Sequence, residues 1–252
     1  MAVVTVAAVT DTNFWRFPPG RTLEGYGECA ITVVLPPFRP HRPSSPDVTA
    51  RFAAHDPARA RAFAGSFPTI EAVLEELPLT DAGPESPRTV ADLDLVRVGC
   101  WGNVVAIADC ALAGRGHHDS LLEQTDALAE RFPEARIVGS ASVDCGENHT
   151  ETSVHLPGGL RLHSEGWTSA DQCHVDGDPH AIVRALGIGS DVLAAEWIDL
   201  DGDLASVPWE HFGHVLLAPY SPWGHEALAM SRFRVRHTED ATIRMEEVWL
   251  PE

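Results

Sequence analysis

The stretch that decides the fold is Val96-Arg97-Val98-Gly99-Cys100-Trp101-Gly102-Asn103-Val104-Val105-Ala106-Ile107. Apolar side chains recur at every second position on both sides of Gly102-Asn103, and this dipeptide is typical of a two-residue hairpin turn. Closing the turn pairs 98 with 107 and 100 with 105, so five apolar side chains share one face: Val96, Val98, Cys100, Val105 and Ile107. The sequence therefore predicts an antiparallel hairpin in which Cys100 is a core thiol.

A second hairpin is predicted over residues 149–167, with its turn at Pro157-Gly158-Gly159. A three-residue loop pairs 156 with 160 and 154 with 162, which places four apolar side chains on one face: Val154, Leu156, Leu160 and Leu162. The opposite face then carries mainly polar side chains: His149, Glu151, Ser153, His155, Arg161, His163, Glu165 and Trp167. A third hairpin is expected near the C-terminus, with Phe233 and Val235 inward and a return strand over 241–249.

Helices are expected between the hairpins. An aspartate N-cap followed by proline predicts helices that begin at Asp56-Pro57 and at Asp178-Pro179, and Gly187 ends the second of them. The spacing of apolar residues predicts two more helices, at 69–77 and at 119–131.

Two further strands and two long loops complete the predicted organisation. Runs rich in β-branched residues predict strands at 29–35 and 136–144. Proline-rich loops are expected at about 36–50 and 78–90, because proline removes backbone donors and interrupts helices. The elements together predict a single α+β domain over 1–252, mainly an antiparallel sheet built from hairpins with several interspersed helices.

The composition limits the class of protein. The chain of 252 residues is 44% hydrophobic and 22% charged, as globular proteins are. Its 37 acidic and 18 basic side chains give a net charge of −19 at pH 7, which weighs against nucleic acids and anionic membranes as partners. Every basic residue is arginine, so the chain has no lysine for a pyridoxal-phosphate Schiff base or a nucleotide-binding P-loop. The motifs GxGxxG, HExxH and GxSxG are also absent.

The cysteines and the N-terminus predict a cytoplasmic protein. Five cysteines, an odd number with no CxxC pair, favour reduced thiols over a disulfide framework. The apolar stretch 1–9 is short and has no basic residue before it, so a first strand is expected there and not a secretion signal. No stretch approaches the roughly 18 apolar residues that a membrane-spanning helix requires.

The polar face of the 149–167 hairpin is the main candidate site. His149, His155 and His163 share this face with Glu151 and Glu165, and imidazole and carboxylate groups are ligands of zinc, iron and manganese. Exposure to solvent alone would also make the outer face of a half-buried hairpin polar. Arg161, moreover, would lie opposite His155 and repel a cation. A solvated ligand-binding or interaction face is therefore favoured, with a divalent metal at the three histidines as the alternative and no other cofactor.

Two further metal hypotheses receive less support from the sequence. Cys145 with His149, or Cys173-His174 with His180, offers only loose single pairs, whereas structural zinc sites usually have two close pairs. The segment Asp199-Leu200-Asp201-Gly202-Asp203 places Glu210 at the twelfth position, as in a calcium loop. The sixth position is leucine where such a loop needs glycine, so an ordinary turn is favoured.

Several strings resemble a known family: Leu35-Pro36-Pro37-Phe38, His55-Asp56-Pro57-Ala58-Arg59-Ala60, Gly99-Cys100-Trp101-Gly102-Asn103 and Phe233-Arg234-Val235-Arg236-His237-Thr238. Together they resemble an uncharacterised family of acidic actinomycete proteins, a domain of unknown function. The resemblance spans most of the chain and implies neither an activity nor a catalytic residue.

Two functional hypotheses follow from these observations. The first is a non-enzymatic binding or interaction protein whose partner, a protein or a small molecule, contacts the hairpin face: His149, Glu151, His155, Arg161, His163, Glu165 and Trp167. The second is a metal-dependent enzyme, similar to a hydrolase, with His149, His155 and His163 near a divalent ion. The sequence leaves the ligand and the oligomeric state open.

Overall fold

The computed structural model describes residues 14–39, 52–114, 120–167 and 173–250. The first strand predicted at 1–9 and most of the proline-rich loop predicted at 36–50 lie outside these ranges.

One antiparallel sheet organises the fold. Within the described ranges it contains nine strands: β1 (Tyr26–Val34), β2 (Ile70–Ala82), β3 (Leu95–Trp101), β4 (Val104–Ala108), β5 (Arg136–Asp144), β6 (Asn148–His155), β7 (Arg161–Trp167), β8 (Cys173–Gly177) and β9 (His225–His237). Their order across the sheet is β2-β9-β3-β4-β1-β5-β6-β7-β8, and every neighbouring pair is antiparallel. The predicted α+β class, with an antiparallel sheet built largely from hairpins, is confirmed.

Helices cover both faces of this sheet. The described ranges contain α1 (Pro57–Ala64), α2 (Val90–Leu93), α3 (Ser120–Arg131), α4 (Pro179–Leu186), α5 (Ser190–Ala195), α6 (Trp209–Leu217) and α7 (Glu239–Trp249). Helices α1, α2, α3 and α7 pack on the first face, in one hydrophobic cluster with Ile31 and Ile107. Helices α4, α5 and α6 pack on the second face with Val154 and Leu162. Along the described ranges, none of these helices is long and apolar enough to cross a membrane.

The two hairpins predicted in detail have the expected register. In β3–β4, Val98 pairs with Ile107 and Cys100 with Val105, and all five predicted side chains are buried in the first-face cluster. In β6–β7, Val154 pairs with Leu162, and these two side chains are buried in the second-face cluster. Leu160, at the tip of the hairpin, is exposed instead.

The helix predicted at 69–77 is wrong, because these residues form the edge strand β2. Their apolar spacing fits a helix, but in β2 only Ile70 of that apolar set is buried, and the strand pairs with β9 through several irregularities in its register. Acidic side chains on β2 also pair with arginines on β9: Arg236 Nε lies 2.8 Å from Glu71 Oε2, and Arg234 Nε lies 3.6 Å from Glu75 Oε2. Tertiary pairing therefore overrides the local helical pattern.

The return strand predicted at 241–249 is also wrong, because these residues form α7. Thr238 caps this helix by accepting a hydrogen bond from the Ala241 amide, and two acidic residues occupy its first turn. The buried positions follow a helical period: Ala241, Met245, Val248 and Trp249. The partner of β9 is instead β2 on one side and β3 on the other.

Candidate functional site

A cavity lies where the sheet is interrupted at the end of β4. Strand β4 ends at Ala108 and pairs only with residues 30–34 of β1. Within the described ranges, the first residues of β1, from Tyr26 to Cys29, therefore have no partner strand on that side. Beyond that point β1 pairs with β5 alone. The gap opens into a cavity of about 620 Å³ whose walls come from the start of β1, the loop 84–88, the start of β3, the segment after β4 and α6.

One stripe of α6 forms the wall opposite the sheet. Glu210, Gly213, His214 and Leu217 line the cavity, and their spacing is that of a single helical face. A Cβ atom at Gly213 would lie 3.2 Å from a methyl of Val138 on β5. The missing side chain therefore lets α6 approach the sheet closely, and this approach places Glu210 and His214 over the cavity.

Two carboxylates in the cavity have raised pKa values. Burial raises the pKa of Glu28, the Arg97 guanidinium opposes this rise, and the charge of Glu210 adds to it. Burial likewise raises the pKa of Glu210, with His211 opposing. The two groups come from β1 and α6, so the packing of α6 on the sheet places the charge of Glu210 near Glu28, although both side chains remain partly exposed to solvent.

The remaining polar walls of the cavity are fixed by contacts within the protein. Arg97 Nη1 donates to the Gly83 carbonyl at 2.6 Å, and Arg97 Nε lies 3.5 Å from Glu85 Oε2. Trp223 Nε1 donates to Thr32 Oγ1 at 2.9 Å, which holds the indole at the cavity wall. His214 Nδ1 lies 3.1 Å from the Ser221 hydroxyl, and burial together with two nearby histidines lowers the pKa of His214.

A buried ion pair borders the cavity through Asp109. His237 Nε2 is 3.0 Å from Asp109 Oδ1, and the Thr69 hydroxyl donates to Asp109 Oδ2 at 2.6 Å. Burial alone would lower the pKa of His237, but Asp109 and Asp94 outweigh it and raise the pKa to about 9. Burial would raise the pKa of Asp109, but His237 and Thr69 outweigh it and hold that pKa below its usual range. Asp109 is therefore a charged partner of His237 and not a free acid of the cavity.

The polar face of the β6–β7 hairpin is covered by α3, so the expectation that it is solvated is wrong. His149, Glu151 and His163 are buried, and Glu151 is only 2% exposed. His163 Nε2 lies 3.0 Å from Glu151 Oε1, and the Leu122 amide of α3 donates to the same carboxylate oxygen at 3.2 Å. Burial raises the pKa of Glu151, with His163 opposing.

The other residues of this face occupy its two ends. His149 Nε2 lies 2.9 Å from Glu165 Oε1, and its ring centroid lies 4.5 Å from that of Trp167 with the two planes tilted by 35°. At the far end, His155 Nε2 lies 3.1 Å from Asp126 Oδ1 on α3, and burial lowers the pKa of His155. Arg161 lies opposite His155 as expected, but its side chain is exposed and 3.6 Å from Asp176 Oδ2.

The structure does not assemble the predicted metal ligands. The described parts of the chain contain no group of three or more His, Cys, Asp or Glu that could hold a metal ion. His149 and His163 each bind a separate carboxylate, and His155 lies beside a third. Cys145 Sγ donates to a backbone carbonyl of α7, that of Val248, at 3.0 Å.

The predicted calcium loop is used as an ordinary turn. Asp199 Oδ1 accepts hydrogen bonds from the amides of Asp201 and Gly202, at 3.0 and 3.2 Å. Asp203 accepts from the Ala205 amide and caps the short 3₁₀ turn Leu204–Ser206. Glu210, the twelfth position of the hypothetical loop, belongs to α6 and lines the cavity instead.

The two cavity carboxylates are not among the site residues predicted from the sequence. Glu28 is the only charged residue of β1, whose sequence YGECAITVV is otherwise apolar or small. Such a run is typical of a strand that is covered on both faces, so a charged residue within it indicates a candidate site residue. Glu210 gave no comparable signal, because an acidic residue in the first turn of a helix is common.

The fold and the site together define an α+β protein whose described residues form a nine-stranded antiparallel sheet between two helical layers, with a cavity between β1 and α6. The chain belongs to DUF6333, a family of unknown function, whose model matches residues 14–252. Neither the search of curated proteins nor that of solved structures finds a match.

Proposed function

We propose that this protein is a binding protein for a small organic molecule, which occupies the cavity between β1 and α6. The observation that carries this proposal is the cavity itself, whose volume of about 620 Å³ is in the range of small-molecule sites. Its floor is made of small side chains, among them the cross-strand pair Ala30 and Ala108. Its walls combine apolar groups with a few converging polar ones, as ligand sites generally do.

The proposal keeps the binding-protein hypothesis but moves the site away from the β6–β7 hairpin. The imidazoles of the hairpin contact carboxylates under α3, so a ligand would have to displace that helix to reach them. The hairpin therefore provides no observation that supports the hypothesis of a metal-dependent enzyme. Binding by the hairpin residues stays a prediction.

We also propose that the protein acts in the cytoplasm. Cys29, Cys100, Cys110 and Cys173 are free thiols. Burial raises the pKa of Cys29 and of Cys100, which keeps these thiols protonated and unreactive. Unpaired cysteines in such number are typical of a reducing compartment.

The proposal is tested by filling the cavity. A diverse fragment library is screened by ligand-observed NMR against the wild type and two variants, Ala30→Trp and Ala195→Trp. The indole of Ala30→Trp would occupy the cavity floor. Ala195 is exposed on α5, so the last variant adds the same indole away from the site.

We expect fragments that bind the wild type and Ala195→Trp but not Ala30→Trp, with circular dichroism showing that both variants are folded. If the fragments that bind the wild type bind Ala30→Trp with the same affinity, the cavity is not the binding site. If no fragment of the library binds the wild type, the proposed function fails.

A further inference from the structure

The charged groups that line the cavity are paired within the protein or exposed at its rim. Four of them contact partners in the folded chain: Asp109, Glu85, Asp92 and Arg97. Three others are exposed to solvent, where water screens their charges: Glu28, Arg88 and Glu210. The uncharged polar groups of the cavity wall are therefore the ones that can select a ligand by direct contact.

His214 on α6 brings an uncharged imidazole to this wall. Its Nδ1 atom lies 3.1 Å from the Ser221 hydroxyl, and this contact restrains the ring. Burial lowers the pKa of His214, and nearby His211 and His225 lower it further, so the ring is neutral at pH 7. Among the described residues, no hydrogen bond or ion pair engages Nε2. One nitrogen of a half-buried ring is therefore left for a ligand.

The sheet beneath His214 is also uncharged. A Cβ atom at Gly213 would lie 3.2 Å from a methyl of Val138, so α6 lies closely over β5 at the residue before His214. Ser140 lies two residues further along β5 and lines the cavity from the same side of the sheet as Val138. Apolar groups complete this surface: Ala30, Leu217 and the indole of Trp223.

A neutral imidazole in such surroundings favours an uncharged polar group. A hydroxyl both donates and accepts, so it pairs with Nε2 whichever nitrogen of His214 carries the proton. An ammonium or carboxylate group would lose hydration beside a ring that offers no counter-charge. A hydrocarbon would leave Nε2 without a hydrogen bond in a cavity from which it displaces water.

Resting on the proposed function, we propose that the ligand is an uncharged molecule with a hydroxyl group, an alcohol or a phenol, which hydrogen-bonds to Nε2 of His214. Its apolar part would lie against Val138, Leu217 and the indole of Trp223. His214 is then the residue that sets the specificity of the site, and Ser221 positions its ring.

The test compares ligands that share one apolar part and differ in the polar group. Ligand-observed NMR titration at pH 7 measures the affinities of 2-phenylethanol, ethylbenzene, phenylacetate and 2-phenylethylamine, and of tryptophol, 3-ethylindole, indole-3-acetate and tryptamine. We expect each alcohol to bind roughly tenfold more tightly than its matched hydrocarbon, acid and amine, because a site that hydrogen-bonds a hydroxyl rejects analogues that lack it.

Two variants of His214 separate its hydrogen bond from its packing. His214→Phe keeps a ring but removes both nitrogens, so it should weaken alcohol binding about tenfold and leave ethylbenzene binding unchanged. His214→Gln places an amide near the position of Nε2 and should retain part of the preference for alcohols. The control is His211→Phe, which removes an exposed imidazole from the same helix outside the cavity and should change neither affinity.

The outcomes separate the two proposals. If a hydrocarbon, acid or amine binds as tightly as its alcohol and Ala30→Trp abolishes that binding, the proposed function stands and the hydroxyl ligand is wrong. A preference for alcohols that survives in His214→Phe, or a variant that weakens alcohol and hydrocarbon equally, overturns the role of His214. If none of the eight compounds binds, the hydroxyl proposal fails, while the fragment screen decides the proposed function separately.

Discussion

The buried pair of His237 and Asp109 gives the sharpest prediction for stability. We consider Asp109→Asn, which keeps the shape of the side chain and removes its charge. Since one pKa unit corresponds to about 1.4 kcal/mol, the rise of the His237 pKa from 6.5 to about 9 contributes about 3 kcal/mol to the free energy of unfolding. Without the Asp109 carboxylate, burial disfavours the imidazolium and only Asp94 still favours it, so most of this contribution is lost.

The sign of the pH dependence follows from the direction of the pKa shift. The folded-state pKa of His237 lies above the unfolded value, so its stabilisation is fully present below pH 6.5 and disappears as the pH rises through about 9. The pKa of Asp109 is lowered on folding, so its contribution is present above pH 3.8 and is lost as the pH falls through the lower folded-state pKa. The wild type should therefore lose stability in the alkaline range, and Asp109→Asn should lose much less there.

Urea unfolding followed by tryptophan fluorescence, between pH 6 and 10, measures both effects. The matched control is Asp126→Asn, which removes a half-exposed carboxylate beside His155 and should cost less than about 1 kcal/mol. Two results would refute the reasoning: a loss below about 1 kcal/mol for Asp109→Asn at pH 6.5, or the same alkaline decline in this variant as in the wild type.

Three further predictions concern the hairpin and α7. Leu162→Asp buries a charge in the second-face cluster and should cost more than 4 kcal/mol or prevent folding, as measured by thermal unfolding. His163→Ala leaves the Glu151 carboxylate buried without its imidazole and should cost about 2 kcal/mol; a cost near zero would contradict the burial of this face. Thr238→Ala removes the N-cap of α7 and should cost about 1 kcal/mol, whereas Thr238→Ser should cost little.

The parts of the fold that the sequence predicts correctly are those in which partners are close along the chain. Gly102-Asn103 fixes the register of β3–β4 within a few residues, and Asp56-Pro57 marks the start of α1 by a contact within one turn. The segment 69–77 has no such local determinant: its apolar pattern fits two structures, and pairing with β9 decides between them. The segment 241–249 does follow a local helix start, the Thr238 N-cap with two acidic residues after it, and the apolar pattern alone does not distinguish this helix from a strand.

The face of β6–β7 shows a different limit. Its register was predictable, because apolar and polar residues alternate cleanly over 149–167. The polar side of an alternating strand is expected to face solvent, yet α3 packs on it. This packing is possible because the buried acid and imidazole groups are paired: Glu151 with His163, and Glu165 with His149. Alternation identifies two faces but does not show what covers each of them.

The position of the cavity follows from the unequal lengths of two neighbouring strands. Strand β1 has nine residues and β4 has five, so the backbone of β1 beyond Ala30 has no strand on one side. Two of its carbonyls accept hydrogen bonds from other segments. The Asp109 amide donates to the Cys29 carbonyl at 3.1 Å, and the Ser86 hydroxyl donates to the Gly27 carbonyl at 3.1 Å. These bonds satisfy two carbonyls of β1 and hold the loop 84–88 and the segment after β4 at the rim of the gap. A site of this kind depends on where β4 ends, and that is set by pairing across the whole sheet and not by any motif around the cavity residues.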